Sequence, residues 1–335
     1  LGSKSPEKVP EIRRDPVTGI WSILAVDRSR RPGAVEDEVV RITAPCPFCP
    51  GNESLTPPEI WAVGREGGAA DSPGWKLRVI PNLYPALSPG AAGKGWRREV
   101  KAGLAARGYH EVIIHSPDHR RSLAEMEPGE TVRLMRAYRL RYRELAVLPG
   151  IRQVVIILNH GRAAGASLEH PHTQVFALPL VPQVLRDELR HTRRRSRQGC
   201  PLCAEAAASK SEGRVVAENE TWMAFAPYAA RFPFETWLMP VRHEPGFERI
   251  VHGELEGMAE IIPRVLRGLS RLLEDPPYNL FIHGAPCDGK DYQHYHCHVE
   301  LVPRITRGAG FELSTGMYIN ITSPEEAAKQ LREIM

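Results

Sequence analysis

The sequence predicts an α+β protein made of two tandem copies of one unit, each an antiparallel sheet with a helix packed across it, the two joined into one enlarged sheet. Three features of the 335-residue chain carry that expectation. A Cys-Pro-x-Cys pair occurs twice, at Cys46/Cys49 and Cys200/Cys203. A segment of acid, apolar strand, proline and histidine occurs twice. Each half then runs through a helical stretch and an apolar strand into a His-x-His cluster.

In chain order, Trp21 to Val26 reads as a strand leading into the basic turn Arg28-Ser29-Arg30-Arg31-Pro32, and Cys46 and Cys49 follow. Glu111-Val112-Ile113-Ile114 is an apolar strand that leads through Pro117 to His119. Thr131 to Leu148 reads as a helical stretch from Val132, Met135, Leu140 and Leu145, and Val154 to Leu158 is a second strand. The second half repeats this order. Cys200 and Cys203 precede Glu235-Thr236-Trp237-Leu238-Met239-Pro240, which leads to His243. Leu255 to Leu273 is an amphipathic helix, and Tyr278 to Ile282 a strand. The spacing is parallel: 51 positions separate His119 from His170, and 53 separate His243 from His296. The Arg-rich stretch 183–199 reads as a linking helix and loop, so the halves are placed at residues 1–182 and 183–335.

Hydrophobic content of 42% and charged content of 25% are those of a soluble globular protein. No run approaches the roughly 18–20 apolar residues of a membrane span, and the polar N-terminus lacks the apolar stretch of a signal peptide. A cytoplasmic location without membrane association is expected. A net charge of +4 is too mild to point to nucleic acid.

In a cytosolic chain, closely spaced cysteine pairs bind zinc or perform redox chemistry more often than they form disulfides. The repeat supplies two further ligands for each pair. One predicted zinc site is Cys46, Cys49, His119 and His170; the other is Cys200, Cys203, His243 and His296. Both are closed Cys₂His₂ sets, the coordination of a structural zinc. For the second metal, a rival set of His283, His298 and Glu300 with Glu188 offers a harder N/O environment suited to iron or zinc.

The stretch Asn159 to Gln174 carries the chemistry. It runs through a turn of small residues, with Gly165, Ala166 and Ser167, into His170, His172 and Gln174 at alternate positions. Alternate residues of a strand share a face, so two imidazoles and a carboxamide are expected beside whatever the turn holds. Backbone N–H groups and Ser167 suit a phosphate, and a histidine beside phosphorus can act as nucleophile. A carboxamide at 174 donates a hydrogen bond to a phosphoryl oxygen but supplies no proton. A phosphate leaving group is already a weak base and needs none. Gln174 therefore points to transfer between phosphates over hydrolysis. His172 must attack with one nitrogen neutral, its other ring nitrogen held by a backbone carbonyl.

These residues resemble the galactose-1-phosphate uridylyltransferase family, a double-unit branch of the histidine-triad superfamily. The markers are Arg13-Arg14-Asp15-Pro16-Val17-Thr18 with Trp21, the Arg28-x-x-Arg31-Pro32 turn, Cys46-Pro47-Phe48-Cys49 and Asn82-Leu83-Tyr84-Pro85. Ser116-Pro117-Asp118-His119, the Asn159–Gln174 stretch, His283-Gly284-Ala285-Pro286 and Gly310-Phe311-Glu312 complete the set.

The resemblance implies two histidine-triad-like halves and a ping-pong exchange. His172 attacks the α-phosphorus of UDP-glucose, releases glucose 1-phosphate and leaves a uridylyl-histidine. Galactose 1-phosphate then takes the UMP, giving UDP-galactose. It further implies that Arg31, Asn82, Asn159, Gly165, Ser167 and Gln174 hold the nucleotide, with Arg28 and Ala166 in the same turns and Phe311 in the C-terminal segment. A homodimer is implied, the C-terminal segment of one chain reaching the other's site. His298 takes the place of the nucleophile in the second half with Glu300 beside it, and that half is expected to be catalytically silent.

The C-terminal segment departs from the family pattern by lacking a Tyr-Glu pair in register. Its Gly310-Phe311-Glu312…Thr315-Gly316-x-Tyr318-Ile319-Asn320 run resembles a related branch that makes ADP-glucose by adenylyl transfer. That branch carries serine between the histidines where this chain has Pro171. Uridylyl transfer is the first expectation, adenylyl transfer through the same histidine the second, and a non-catalytic zinc-stabilised nucleotide-binding protein the third.

Overall fold

The computed structural model describes residues 11–14, 21–24, 45–65, 67–89, 103–306 and 308–335. In the first half the elements are β1 (Glu11–Arg14), β2 (Trp21–Leu24), β3 (Trp61–Val63), β4 (Leu77–Pro81), β5 (Gly103–Ala105), β6 (Tyr109–Ile114), α1 (Pro128–Ala146), β7 (Gln153–His160) and β8 (His172–Leu178). The linking helix α2 (Gln183–Arg195) follows. The second half holds α3 (Pro201–Ser211), β9 (Val215–Glu218), β10 (Trp222–Phe225), β11 (Thr236–Pro240), α4 (His252–Leu273), β12 (Tyr278–His283), β13 (His298–Pro303), α5 (Gly310–Thr315) and α6 (Pro324–Ile334).

Ten strands form one sheet in the order β3-β4-β6-β8-β7-β12-β13-β11-β10-β9. Five come from each half, and the two sets meet where β7 pairs antiparallel with β12, Asn159 opposite Asn279. Counted outward from that seam, the second half repeats the connectivity of the first. This is the enlarged sheet expected from the sequence repeat. β1, β2 and β5 form a separate three-stranded sheet.

In α1 Met135 and Leu145 are buried as the spacing predicts, Val132 and Leu140 are half-buried, and Leu134, Tyr138 and Tyr142 complete the face; α4 buries Leu255, Met258, Ile262, Val265 and Leu269. These join Val154, Ile156, Val175, Leu280, Val299 and Leu301 of the central strands in one core. Proline at the first position of α1 costs nothing, because that N–H has no helical partner. No helix among the described residues is long and apolar enough to cross a membrane.

The two acids that opened the repeated segments have structural roles. Glu111 accepts two hydrogen bonds from Arg141 of α1, at 2.8 and 2.7 Å, which ties the helix to β6. Glu235 pairs with Arg231 at 2.7 Å.

The residues ahead of β13 form a turn, with Tyr295 N–H donating to the Tyr292 carbonyl, and β13 begins at His298. One expectation needs correction. His170 does not face the site with His172 and Gln174. Pairing of β8 begins at His172 opposite Ile114. The residues before it are therefore free of strand alternation, and the His170 ring turns inward to full burial.

Candidate active site and metal clusters

β8 alternates as a half-buried strand should. Thr173, Val175 and Ala177 are buried on the core side, while His172, Gln174 and Phe176 are partly exposed on the other. Asn159 and Ile157 of β7 fall on the same open face, Ile157 directly opposite Gln174. Nδ1 of His172 lies 2.8 Å from the carbonyl oxygen of His170. A carbonyl only accepts, so Nδ1 carries the proton and Nε2 keeps its lone pair. The Phe48 ring stands edge-on to His172 with centroids 5.2 Å apart, a contact that the sequence reading did not anticipate.

Beneath β8, His115 Nε2 lies 2.7 Å from Thr173 Oγ1, and the Tyr138 hydroxyl lies 2.5 Å from the same oxygen. Burial, with a smaller effect from His172 and His170, holds His115 well below the usual histidine range, so this ring is neutral.

The turn between β7 and β8 is a short 3₁₀ segment, Arg162–Ala164, flanked by glycines. Gly161 has φ of +76° and would drive a Cβ to 2.9 Å from Pro277, and Gly165 has φ of +88°, so both positions require glycine. The N–H groups of Ala164, Gly165 and Ala166 donate to Gly161 and Arg162 carbonyls within the turn. Asn82 lies in the loop after β4, beside His110 at 3.2 Å. Phe311 is half-exposed on α5. Arg28 and Arg31 lie outside the described residues.

Both predicted Cys₂His₂ sets come together. Within each of the two groups, Cys46, Cys49, His119 and His170, and Cys200, Cys203, His243 and His296, the ligand atoms lie within 4.8 Å of one another. Cys49 Sγ is 3.3 Å from His119 Nδ1 and 3.7 Å from His170 Nδ1. Cys203 Sγ is 3.3 Å from His243 Nδ1 and 3.2 Å from His296 Nδ1. Sulfur and nitrogen bound to one tetrahedral zinc stand about 3.6 Å apart, given usual bond lengths. The donor sets therefore fit that ion. His170 Nε2 donates to the Ser116 carbonyl at 2.8 Å, which leaves Nδ1 turned toward the sulfurs. Burial lowers His170 to about 4, favouring the neutral ring that a metal requires.

The rival ligand set proves to be a third, separate cluster. Glu188, His283, His298 and Glu300 gather without sharing a residue with the cysteine sites. Arg231 reaches in to pair with Glu300, a partner with no signal in the sequence. Burial alone would lower His283, but the Glu188 and Glu300 carboxylates raise it to about 8. His298 repeats the tautomer arrangement of His172, its Nδ1 3.0 Å from the His296 carbonyl. It is nevertheless buried, stacked on Trp237 at 4.9 Å and faced by Glu300. An incoming phosphate would meet a wall and a negative charge there.

Comparison with known proteins identifies the family. The family model for the N-terminal domain of galactose-1-phosphate uridyl transferase matches residues 3–182, and that for the C-terminal domain matches residues 186–335. The chain is 33% identical to an ADP-glucose phosphorylase of Arabidopsis thaliana, over 99% of this chain and 95% of that protein. It is 29% identical to a galactose-1-phosphate uridylyltransferase of Thermotoga maritima, over 96% and 98%. A crystal structure of an Arabidopsis thaliana ADP-glucose phosphorylase with bound ADP-glucose superposes with a TM-score of 0.78 at 34% identity, covering 97% of this chain and 99% of that one. A solved uridylyltransferase gives 0.79 at 26% identity, covering 97% and 98%. With both halves matched, the chain belongs to the galactose-1-phosphate uridyl transferase family of nucleotidyl transferases.

Proposed function

We propose that this protein transfers a nucleotidyl group from a nucleoside diphosphate hexose to a second phosphate through a covalent His172 adduct. The observation that carries the reading is the 2.8 Å contact of His172 Nδ1 with the His170 carbonyl, beside Gln174. It turns a neutral Nε2 lone pair to the open face. Nε2 bonds to the α-phosphorus as the bond from that phosphorus to the bridging oxygen breaks. The hexose 1-phosphate leaves as a dianion and needs no proton. The Gln174 amide stabilises charge on the phosphoryl oxygens during both transfers. An acceptor phosphate oxygen then displaces His172. The catalytic pair is His172 and Gln174, with Asn82, Asn159, Gly165, Ala166, Ser167 and Phe311 lining the substrate site, and Arg28 and Arg31 assigned to it from the sequence.

The uridylyl reading takes UDP-glucose as donor and galactose 1-phosphate as acceptor. A second reading, adenylyl transfer from ADP-glucose to inorganic phosphate, is favoured by the 33% identity to an ADP-glucose phosphorylase and by the Gly310–Asn320 segment. Zinc in the two cysteine clusters would hold His119, His170, His243 and His296, and through His170 would fix the strand entry that places His172.

Incubation with UDP-glucose and ADP-glucose, each labelled in its α-phosphate, tests the proposal and separates the two readings. Label stable to alkali and lost in acid is expected on the wild-type chain from the true donor, and none on His172→Gly. Absence of label with both donors, or full turnover by His172→Gly, would overturn the reading and leave a nucleotide-binding protein.

A further inference from the structure

Three carboxamides surround the open face beside His172, and the structure fixes which end of each is spent. The chain of constraints starts at backbone groups, whose polarity is not adjustable. Ala86 N–H donates to His110 Nδ1 at 3.1 Å. That nitrogen therefore carries the lone pair, and the neutral ring bears its proton on Nε2. Nε2 lies 3.0 Å from Gln174 Oε1, so His110 donates to the oxygen of the Gln174 amide. The ring is 3% exposed and stacked on Phe176 with centroids 4.0 Å apart, which holds it in plane for that bond.

Asn279 imposes a like constraint from the other half. Asn279 Nδ2 lies 2.8 Å from the Ala164 carbonyl and 2.8 Å from Asn159 Oδ1. The carbonyl accepts only, so Asn279 presents its NH₂, and the second hydrogen of that group occupies the Asn159 oxygen. The Asn82 oxygen accepts from Tyr84 N–H at 2.8 Å. The 3.2 Å approach of Asn82 Nδ2 to His110 Nε2 is then between two N–H groups and contributes no bond.

We infer that His110 and Asn279 are positioning residues that set the polarity of Gln174 and Asn159, so that the lining beside His172 offers only donors to a phosphoryl group. The inference rests on the nucleotidyl-transfer reading and deepens it. An amide free to rotate would present its oxygen to the phosphate part of the time, repelling the anion where charge builds. With its oxygen occupied, Gln174 offers N–H alone, with no reorganisation at the moment of transfer.

The test follows the rate of His172 labelling in a single turnover, with KM measured alongside. His110→Phe keeps the stack on Phe176 and removes the Nε2 donor. Its labelling rate should fall about tenfold to a hundredfold, less than the ~10²–10³-fold expected for removing such a donor outright, with KM changed less than about threefold. Added to Gln174→Ala, it should cause no further loss, because the two act as one unit. Asn279→Asp, which cannot donate to Asn159, provides an arm independent of the His110 fold and should raise KM at least about fivefold by turning the Asn159 oxygen outward. Wild-type labelling rates in His110→Phe, or additive losses in the double variant, would overturn the role of His110. An unchanged KM in Asn279→Asp would overturn that of Asn279. Failure of the wild-type chain itself to label would instead sink the reading of the reaction.

Discussion

His170 and His172 stand two residues apart and serve two different centres: the His170 ring turns to Cys46 and Cys49, while its carbonyl oxygen lies 2.8 Å from Nδ1 of His172. One peptide thus couples a Cys₂His₂ cluster to the proposed nucleophile. The ring nitrogen that faces the sulfurs is fixed because the other donates to the Ser116 carbonyl. The orientation of His172 follows from where His170 is anchored.

Metal removal should therefore act on reaction rate through geometry. About two zinc ions per chain are expected by elemental analysis, one for each Cys₂His₂ set. Cys49→Ala should lose one and slow His172 labelling at least tenfold, while Cys203→Ala should lose the other with a smaller effect on labelling. Equal effects of the two changes would contradict the coupling through His170.

Glu111→Gln should destabilise the fold by about 3 kcal/mol, the low end for breaking a buried ion pair, since Glu144 still contacts Arg141. The guanidinium would lose the doubly bonded partner that ties α1 to β6. Urea unfolding should show a lower midpoint with unchanged slope. A loss under about 1 kcal/mol would mean that the pair behaves as an exposed one.

Acid should weaken the fold through His115. Burial holds its folded-state affinity for a proton well below that of the unfolded chain. Below about pH 6.5 the unfolded chain takes up a proton that the native ring refuses. Stability then falls with pH by up to about 1.4 kcal/mol per unit until the buried ring itself titrates. His115→Phe should flatten the acid limb of unfolding free energy against pH by close to one proton. An identical slope in both chains would show that His115 does not control it.

The C-terminal segment should be covered in solution by a second copy of the chain. Leu313, Met317, Ile319 and Ile321 are each more than half exposed, an apolar run that a lone chain leaves to water. Meanwhile Asn320 and Tyr318 anchor it to Ala230 and Phe232. Sedimentation should give twice the chain mass, and Leu313→Asp with Ile319→Asp should raise the dimer dissociation constant at least tenfold. A monomeric wild-type chain would remove this assignment.

Legibility differed from element to element for physical reasons. Helices α1 and α4 and the seam strands β7 and β12 were readable because their apolar spacing matches the period of the element each forms. The two cysteine–histidine sets were readable because each half repeats them at the same spacing. His110, Asn279 and Arg231 were not. Each acts through a partner far away in sequence, 64 positions in the case of His110 and Gln174. The face of His170 was misjudged because strand alternation was extended two residues beyond where pairing begins.

The order of ligands, strands and helices, the doubling of the chain and the choice of histidine and glutamine at 172 and 174 are written in local pattern, and pattern alone determined them. Which nitrogen of His172 carries the proton, which end of Gln174 meets His110 and why His298 is buried against Trp237 and Glu300 were decided only by the folded chain. Proton positions and amide polarity depend on groups that arrive from other strands, and no spacing in one segment encodes what will be brought against it.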